Sequence, residues 1–372
     1  MKYRKFGSTD FYVSVLSFGA HRLPLTSKDE SVEMLHYAID NGVNCIDLGY
    51  PYDPRLYEQR ARLVSEALQG TYRDRVKIAV TLPITLVSST SHLDRFLGEN
   101  LRLLQIDRVD FCILGELNRK TWPKLNGIEW KRWINKAIES GKIDKAGFSF
   151  HDDFQFLKEI VMAYEGWSFC KLRYSYMDVD HHPGTVGLKY AAEKGLAVIV
   201  AEPFKGGRLV KPPPEPVAKA WGKLLERRSL AEWGLLWVWN HSEVSTVVVG
   251  MEKMKDVIEN VSLADEAEAN KLDIWELITF SQVKDVYLKL KPINCATCYC
   301  CMPCPVGIDV PRIFEIYNDA VMYEDVKTAR FYYHVEQHDV KKCIECYKCE
   351  NSCPRKIPIV KWLKTIQEAL EA

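Results

Sequence analysis

The sequence predicts an α/β protein: a (β/α)8 barrel followed by a small, mostly α-helical domain. Three observations carry this. Short apolar runs alternate with amphipathic stretches from Val13 to Val261. Eight such runs can be counted, each followed by a helical pattern. Nine of the twelve cysteines then crowd between Cys295 and Cys353. Repeating strand–helix units imply a parallel sheet, and eight of them suggest a closed barrel. An open doubly wound sheet is the competitor. The count of eight and the lack of a glycine-rich fingerprint after the first strand argue against it.

The elements follow in order. Strands are expected at Val13–Gly19, Val43–Leu48, Lys77–Leu82, Val109–Leu114, Lys145–Phe150, Cys170–Tyr176, Leu196–Ala201 and Val244–Gly250. Helices are expected at Glu30–Asn41, Glu58–Gln69, His92–Leu104, Trp130–Ser140, Phe154–Ala163, Thr185–Lys194, Leu230–His241 and Met254–Val261. Residues 2–12 read as a hairpin able to plug the barrel floor. Lys211-Pro212-Pro213-Pro214-Glu215-Pro216 reads as a stiff loop after the seventh strand, at the barrel mouth. Trp221, Trp233, Trp237 and Trp239 recur largely at helical spacing, which reads as packing. Composition shifts near Leu290, and the boundary is expected between a barrel over 1–268 and a second domain over 269–372.

Lys+Arg and Asp+Glu are both 50, so no global field favours nucleic acid or an anionic membrane. No apolar run approaches a membrane span, and no signal-peptide core follows Met1. A cytoplasmic location is the expectation. Cys45, Cys112 and Cys170 lie on expected strands and read as small core fillers. His181-His182 has no visible third ligand for a metal.

The second cysteine run, Cys343-Ile-Glu-Cys346-Tyr-Lys-Cys349-Glu-Asn-Ser-Cys353-Pro354, has the C-x2-C-x2-C-x3-C-P spacing of bacterial ferredoxins. The first, Cys295-Ala-Thr-Cys298-Tyr-Cys-Cys301-Met-Pro-Cys304-Pro305, has a last gap shorter by one. Three thiolates on a tight loop can take three corners of one cubane. The fourth, before a proline, serves the other cluster. Two 4Fe–4S clusters are therefore expected. Cys295, Cys298, Cys301 and Cys353 would hold one, and Cys343, Cys346, Cys349 and Cys304 the other. Cys300 is left over. Two structural zinc sites are the alternative, but zinc sites usually pair two C-x2-C knuckles across a longer gap. The segment Ile308–Val340 is helical in pattern and would space the two loops. Such clusters suit an anaerobic setting. Lys341-Lys342 is a candidate for docking an acidic redox protein donor, with plain solvation as the alternative.

The chain resembles the aldo-keto reductases, in the branch that ends in a ferredoxin-type domain. The resemblance rests on Lys5-Phe6-Gly7, on Gly42-Val43-Asn44-Cys45-Ile46-Asp47 and on Gly147-Phe148-Ser149-Phe150-His151. Gly187 to Gly195, Glu202-Pro203-Phe204-Lys205-Gly206-Gly207 and Trp239-Asn240-His241 add to it. It implies a barrel with its site at the C-terminal ends of the strands. It also implies hydride transfer from NADPH to a carbonyl, with a Tyr as acid supported by Asp, Lys and His. Asp47 and Tyr52 match the Asp and the Tyr. The Lys position falls on Thr81 or its neighbours Val80 and Leu82, and the His position on Gly115. The Gln that holds the nicotinamide becomes Lys171, and the Ser that meets the 2′-phosphate becomes Glu252. A carboxylate there repels phosphate, which argues against NADP(H), though Lys253 partly compensates. The phosphate-facing loop and Glu259-Asn260 near the adenine are retained.

Alternation puts Lys171, Arg173 and Ser175 on one face of the sixth strand. With His151, Lys205 and Arg208 they suggest a cationic mouth for a small, anionic substrate or cofactor, local salt bridges being the alternative. Lys171 is also a candidate for the cation that Tyr52 has lost. Three functions follow as expectations. The first is an iron–sulfur oxidoreductase passing electrons between the clusters and a substrate at the barrel mouth. The second is an NADPH-dependent carbonyl reductase with an iron–sulfur appendage. The third is a non-catalytic electron-transfer or docking protein.

Overall fold

A computed structural model describes residues 1–181 and 183–371. His182, paired with His181 above, lies outside the described residues. The chain divides into two compact units: Met1–Gly207 with Ser229–Leu272, and Arg208–Arg228 with Asp273–Ala372.

The first unit is the barrel. A hairpin of β1 (Tyr3–Lys5) and β2 (Tyr12–Ser14) precedes eight parallel strands. These are β3 (Leu16–Gly19), β4 (Cys45–Asp47), β5 (Lys77–Pro83), β6 (Val109–Leu117), β7 (Ile143–Phe150), β8 (Trp167–Arg173), β9 (Ala197–Ala201) and β10 (Val244–Gly250). They close in the order β10-β3-β4-β5-β6-β7-β8-β9. The expected first strand is broken at Val15, so that Tyr12–Ser14 joins the hairpin. The hairpin does plug the floor. Phe6 is fully buried and stacks on Phe111 at 4.5 Å, with Phe169 at 5.6 Å. Gly7 follows at φ 57°, where a Cβ would stand 2.4 Å from the Ala197 nitrogen. Cys45, Cys112 and Cys170 are buried on strands.

Caps fix the entries to the helices. Asp53 accepts from the Arg55 and Leu56 N–H groups, and Pro54 opens the helix Pro54–Ala67. This pins the residue just before the cap, Tyr52. Ser229 and Glu232 form a reciprocal cap on Leu230–Trp239, whose three tryptophans are all buried.

The second unit is helical. Its longer helices are Ile274–Lys289, Val310–Met322, Val326–Val335 and Ile359–Glu371. Ile313, Phe314, Ile359, Leu363 and Ile366 form part of its core. Segment 208–228, placed with the barrel by the sequence, goes with this unit. Trp221 meets Phe280 edge-on at 5.2 Å. Arg208 is buried, bonded to Asp319 at 2.6 Å beside Asp325 at 4.0 Å, and Lys211 bonds Asp325 at 2.8 Å. Arg208 therefore does not serve the mouth as expected, because two carboxylates of the second unit satisfy its charge. Among the described residues no helix is long and apolar enough to cross a membrane.

Candidate functional site

Asp47 ends β4 and Lys171 stands near the end of β8. Lys171 points inward, as alternation predicts, and its Nζ lies 2.7 Å from Asp47 Oδ2. The carboxylate is 1% exposed. A buried carboxylate needs such a partner, since charge without compensation is costly away from water. Lys171 thus neutralises Asp47, while Tyr52 finds a different partner.

The Tyr52 hydroxyl donates to Glu116 Oε1 at 2.6 Å. The residue is 51% exposed. Loss of water around that hydroxyl pushes the phenol well above its usual range. Arg173 pulls it down, and Glu116 and Glu202 push it further up. The Tyr52 ring packs on Tyr50 at 4.6 Å, and Tyr50 in turn shares a hydrogen bond with Thr85 at 2.8 Å.

Tyr50 also occupies space beside Gly115. A Cβ on Gly115 would lie 2.6 Å from Thr81 Cγ2, 2.8 Å from the Leu82 carbonyl oxygen and 3.0 Å from the Tyr50 ring. No side chain fits at the position where the resemblance implies a histidine. Gly115→Ala is expected to cost about 1–3 kcal/mol through this overpacking. A lowered denaturant midpoint with unchanged slope checks it.

Lys171, Arg173, Lys205 and Arg208 are each matched to a carboxylate. Arg173 Nε lies 3.6 Å from Glu202 Oε1. Lys205 is 2.9 Å from Asp178, which also accepts from Ser175 Oγ. Burial raises the Asp178 carboxyl, but Lys205 and Ser175 outweigh it and hold the group below its ordinary value. Glu252 is taken by Arg22 at 2.9 Å, which also reaches the Gly206 carbonyl at 3.4 Å. Asn260 is buried in the helix Met254–Leu263. His151 follows β7, its N–H donating to the Leu117 carbonyl at 3.1 Å.

Two mouth residues went unread in the sequence. Glu116 is one, adjacent to the Gly115 that drew attention. His21 is the other, just past β3. His21 is exposed, and a Cβ on Gly49 would meet its Cβ at 2.7 Å. Burial first, then Lys171 and Arg22, hold its imidazole down to about 4, against the opposite pull of Asp47 and Glu202. Glu116 stands near the C-terminal end of β6 and His21 just past that of β3, the one positional signal that could have found them.

The second unit carries two cavities. One is lined by Cys295, Cys298, Cys301 and Cys353 with Phe314 and Ile359 among the apolar walls. The other is lined by Cys304, Cys343, Cys346 and Cys349, with Cys301 also reaching it. Each takes three cysteines from one run and at least one from the other. Cys300 is exposed and lines neither.

The two loops share a backbone. Thr297 and Tyr299 have φ of 53° and 57°, and Glu345 and Tyr347, at matching offsets, have 52° and 55°. Left-handed residues between cysteines turn N–H groups inward and suit an anionic group. The Thr297 N–H donates to Cys295 Sγ at 3.4 Å. After Cys304 and Cys353, Gly307 and Lys356 again match, with φ of 79° and 51°. Among the described residues no three His, Cys, Asp or Glu side chains close tightly enough for a single ion. The cysteines stand around spaces, not points. Soft thiolates, apolar walls and inward N–H groups fit an iron–sulfur cubane in each.

Comparison with known proteins agrees with this anatomy. The aldo/keto reductase family matches residues 15–276, and a 4Fe-4S dicluster domain matches residues 294–358. The chain is 26% identical over 298 residues to an L-galactose dehydrogenase of Arabidopsis thaliana, covering 73% of this chain and 90% of the relative. In fold it is similar to the aldo-keto reductase AKR11C1 of Bacillus halodurans. The TM-scores are 0.61 to the holo form and 0.60 to the apo form. The identities are 23% and 22%, and each comparison covers 76% of this chain and 96% of the other. The closed parallel barrel, the matched residues and the appended dicluster domain together make this chain a member of the aldo/keto reductase family that carries a C-terminal 4Fe-4S dicluster domain.

Proposed function

We propose that this oxidoreductase is an iron–sulfur enzyme acting on a small hydroxyl- or carbonyl-bearing molecule at the barrel mouth, through a non-standard active site. Cys295, Cys298, Cys301 and Cys353 hold one 4Fe–4S cluster, and Cys304, Cys343, Cys346 and Cys349 the other. The observation that carries the reading is the pair of cavities, one lined by four of these cysteines and the other by five, with Cys301 reaching both. When bound, such clusters take up and release electrons singly, which ordinary hydride transfer does not require.

The chain's own residues handle the substrate. Tyr52 is the group that exchanges a proton with the substrate oxygen. The Lys171–Asp47 pair leaves no lysine on the Tyr52 hydroxyl, and Gly115 leaves no histidine to orient a carbonyl. A sugar dehydrogenase among the relatives supports a substrate rich in hydroxyl groups. An anionic substrate must compete with Asp47 and Glu202 for Lys171 and Arg173, so its binding should weaken steeply with salt. We place the reaction in the cytoplasm, with a redox protein as electron partner.

NADPH-dependent carbonyl reduction is the second reading, supported by the family and by Arg22 neutralising Glu252. Anaerobic titration with NADPH separates the readings. Nucleotide fluorescence changes with bleaching of cluster absorbance would put nucleotide and clusters in one circuit. Binding and aldehyde turnover without bleaching would favour the reductase. No binding leaves the cluster-linked reading ahead. Tyr52→Phe is expected to lower kcat by roughly 10²–10⁴ with little change in KM. Unaltered turnover would remove Tyr52 from the chemistry, and tight redox-protein binding with no turnover of any substrate would point to the third, non-catalytic reading.

A further inference from the structure

We propose that Glu116 is the proton acceptor of the barrel mouth, acting through the Tyr52 hydroxyl on a substrate hydroxyl bound there. This rests on the reading of the mouth as the reaction site.

The backbone is built to aim this carboxylate. Strand β6 pairs regularly with β7 up to Leu114 and again at Leu117, with a register shift between. Glu116 sits in that irregularity at φ 57°, a left-handed conformation that disfavours a side chain like its own. Two hydrogen bonds hold it there. Its N–H donates to Ser149 Oγ at 2.7 Å, and its carbonyl accepts from Thr121 Oγ1 at 2.7 Å. Irregularities of this kind re-aim side chains beside active sites, and strain kept in place by its surroundings is a mark of function. The side chain so aimed meets Tyr52 Oη at 2.6 Å. Tyr52 is in turn fixed by its ring contact with Tyr50 and by the Asp53 cap that follows it.

The proton path is short. The substrate O–H bond breaks as a bond forms to Tyr52 Oη. Tyr52's own proton passes along its hydrogen bond to Glu116 Oε1. One proton arrives at and one leaves Tyr52, and no electrons change owner in this step. Tyr52 donates to the Glu116 carboxylate, so the hydrogen bond is aligned for a proton leaving a substrate hydroxyl by way of the phenol. The reverse path returns it to a carbonyl oxygen during reduction. Glu116 is thus a positioning and proton-holding residue, and Tyr52 is the group that touches substrate. The groups facing the Tyr52 hydroxyl are Glu116 from β6, Arg173 from β8 and Glu202 after β9, with Tyr50 beside it.

The test is titration of ¹³Cζ-tyrosine-labelled intact protein by NMR, with the Tyr52 signal assigned by Tyr52→Phe. Tyr52 should stay protonated to higher pH than exposed tyrosines. Glu116→Gln, which keeps the shape and removes the charge, should move its titration down by about one pH unit or more. If that variant does not fold, Glu116→Asp should shift it in the same direction by less. A Tyr52 titration identical in parent and Glu116 variants overturns the role of Glu116 and leaves the mouth as reaction site standing. With small alcohols as probes, Glu116→Gln should lower kcat tenfold or more with KM held. Normal coupling without any Tyr52-dependent turnover overturns the reading of the mouth itself, and the acceptor role with it.

Discussion

Cys304→Ser is expected to remove iron from the cavity that Cys343, Cys346 and Cys349 line, not from the one beside its own run. Iron should fall from about eight atoms per chain to about four, with the visible absorbance roughly halved. Cys353→Ser should do the converse, matching Cys295→Ser and not Cys343→Ser. The reason is geometric. Cys304 and Cys353 each end one run and line the cavity of the other. Cys300→Ser should leave the iron unchanged, because that thiol is exposed and outside both cavities. Stability should follow the iron. Five cysteines of the two runs pack on the apolar core of the second unit as partly buried groups, so ligation and folding share one free energy. Loss of one cluster should lower the melting transition of this unit, read by circular dichroism under anaerobic conditions. Full retention of iron in Cys304→Ser would sink the crossed assignment.

Lys171→Met is the second large effect. It removes the partner of a carboxylate that is almost fully buried. Breaking a buried pair from one side typically costs about 3–5 kcal/mol, because the remaining charge is left uncompensated. The double variant Lys171→Met with Asp47→Asn should regain most of that loss, since no lone charge remains. Denaturant midpoints of the two single variants and the double give the coupling directly. Additive losses would show that the pair does not act as a unit. The substrate pocket should also suffer in Lys171→Met, because the Lys171–Asp47 bond ties β8 to β4 across the barrel.

Much of this was legible in the residues. The eight strands were readable because a parallel barrel strand is buried on both faces and so appears as an apolar run. Strand ends were less so. Val13–Gly19 splits at Val15, since the hairpin claims Tyr12–Ser14 by antiparallel pairing that periodicity does not reveal. The cysteine runs were read by spacing alone, and these eight cysteines line the two cavities, with Cys301 reaching both. Lys171 was placed inward by alternation, and it is inward.

The sequence by itself determined what is local or periodic: the strand–helix alternation, the plug, the cysteine loops and the positions of Asp47 and Tyr52. Tertiary structure alone decided the partners. Lys171 bonds Asp47 across 124 positions of chain, Tyr52 bonds Glu116 across 64, and Arg208 leaves the mouth for Asp319 across 111. A charge takes whichever opposite group the fold brings within about 3 Å, and no spacing along the chain encodes that distance. The bulge at Glu116 makes the point again. Only the packing of Tyr50 and Thr81 beside Gly115 explains why a carboxylate, one residue on, is the side chain that reaches the phenol.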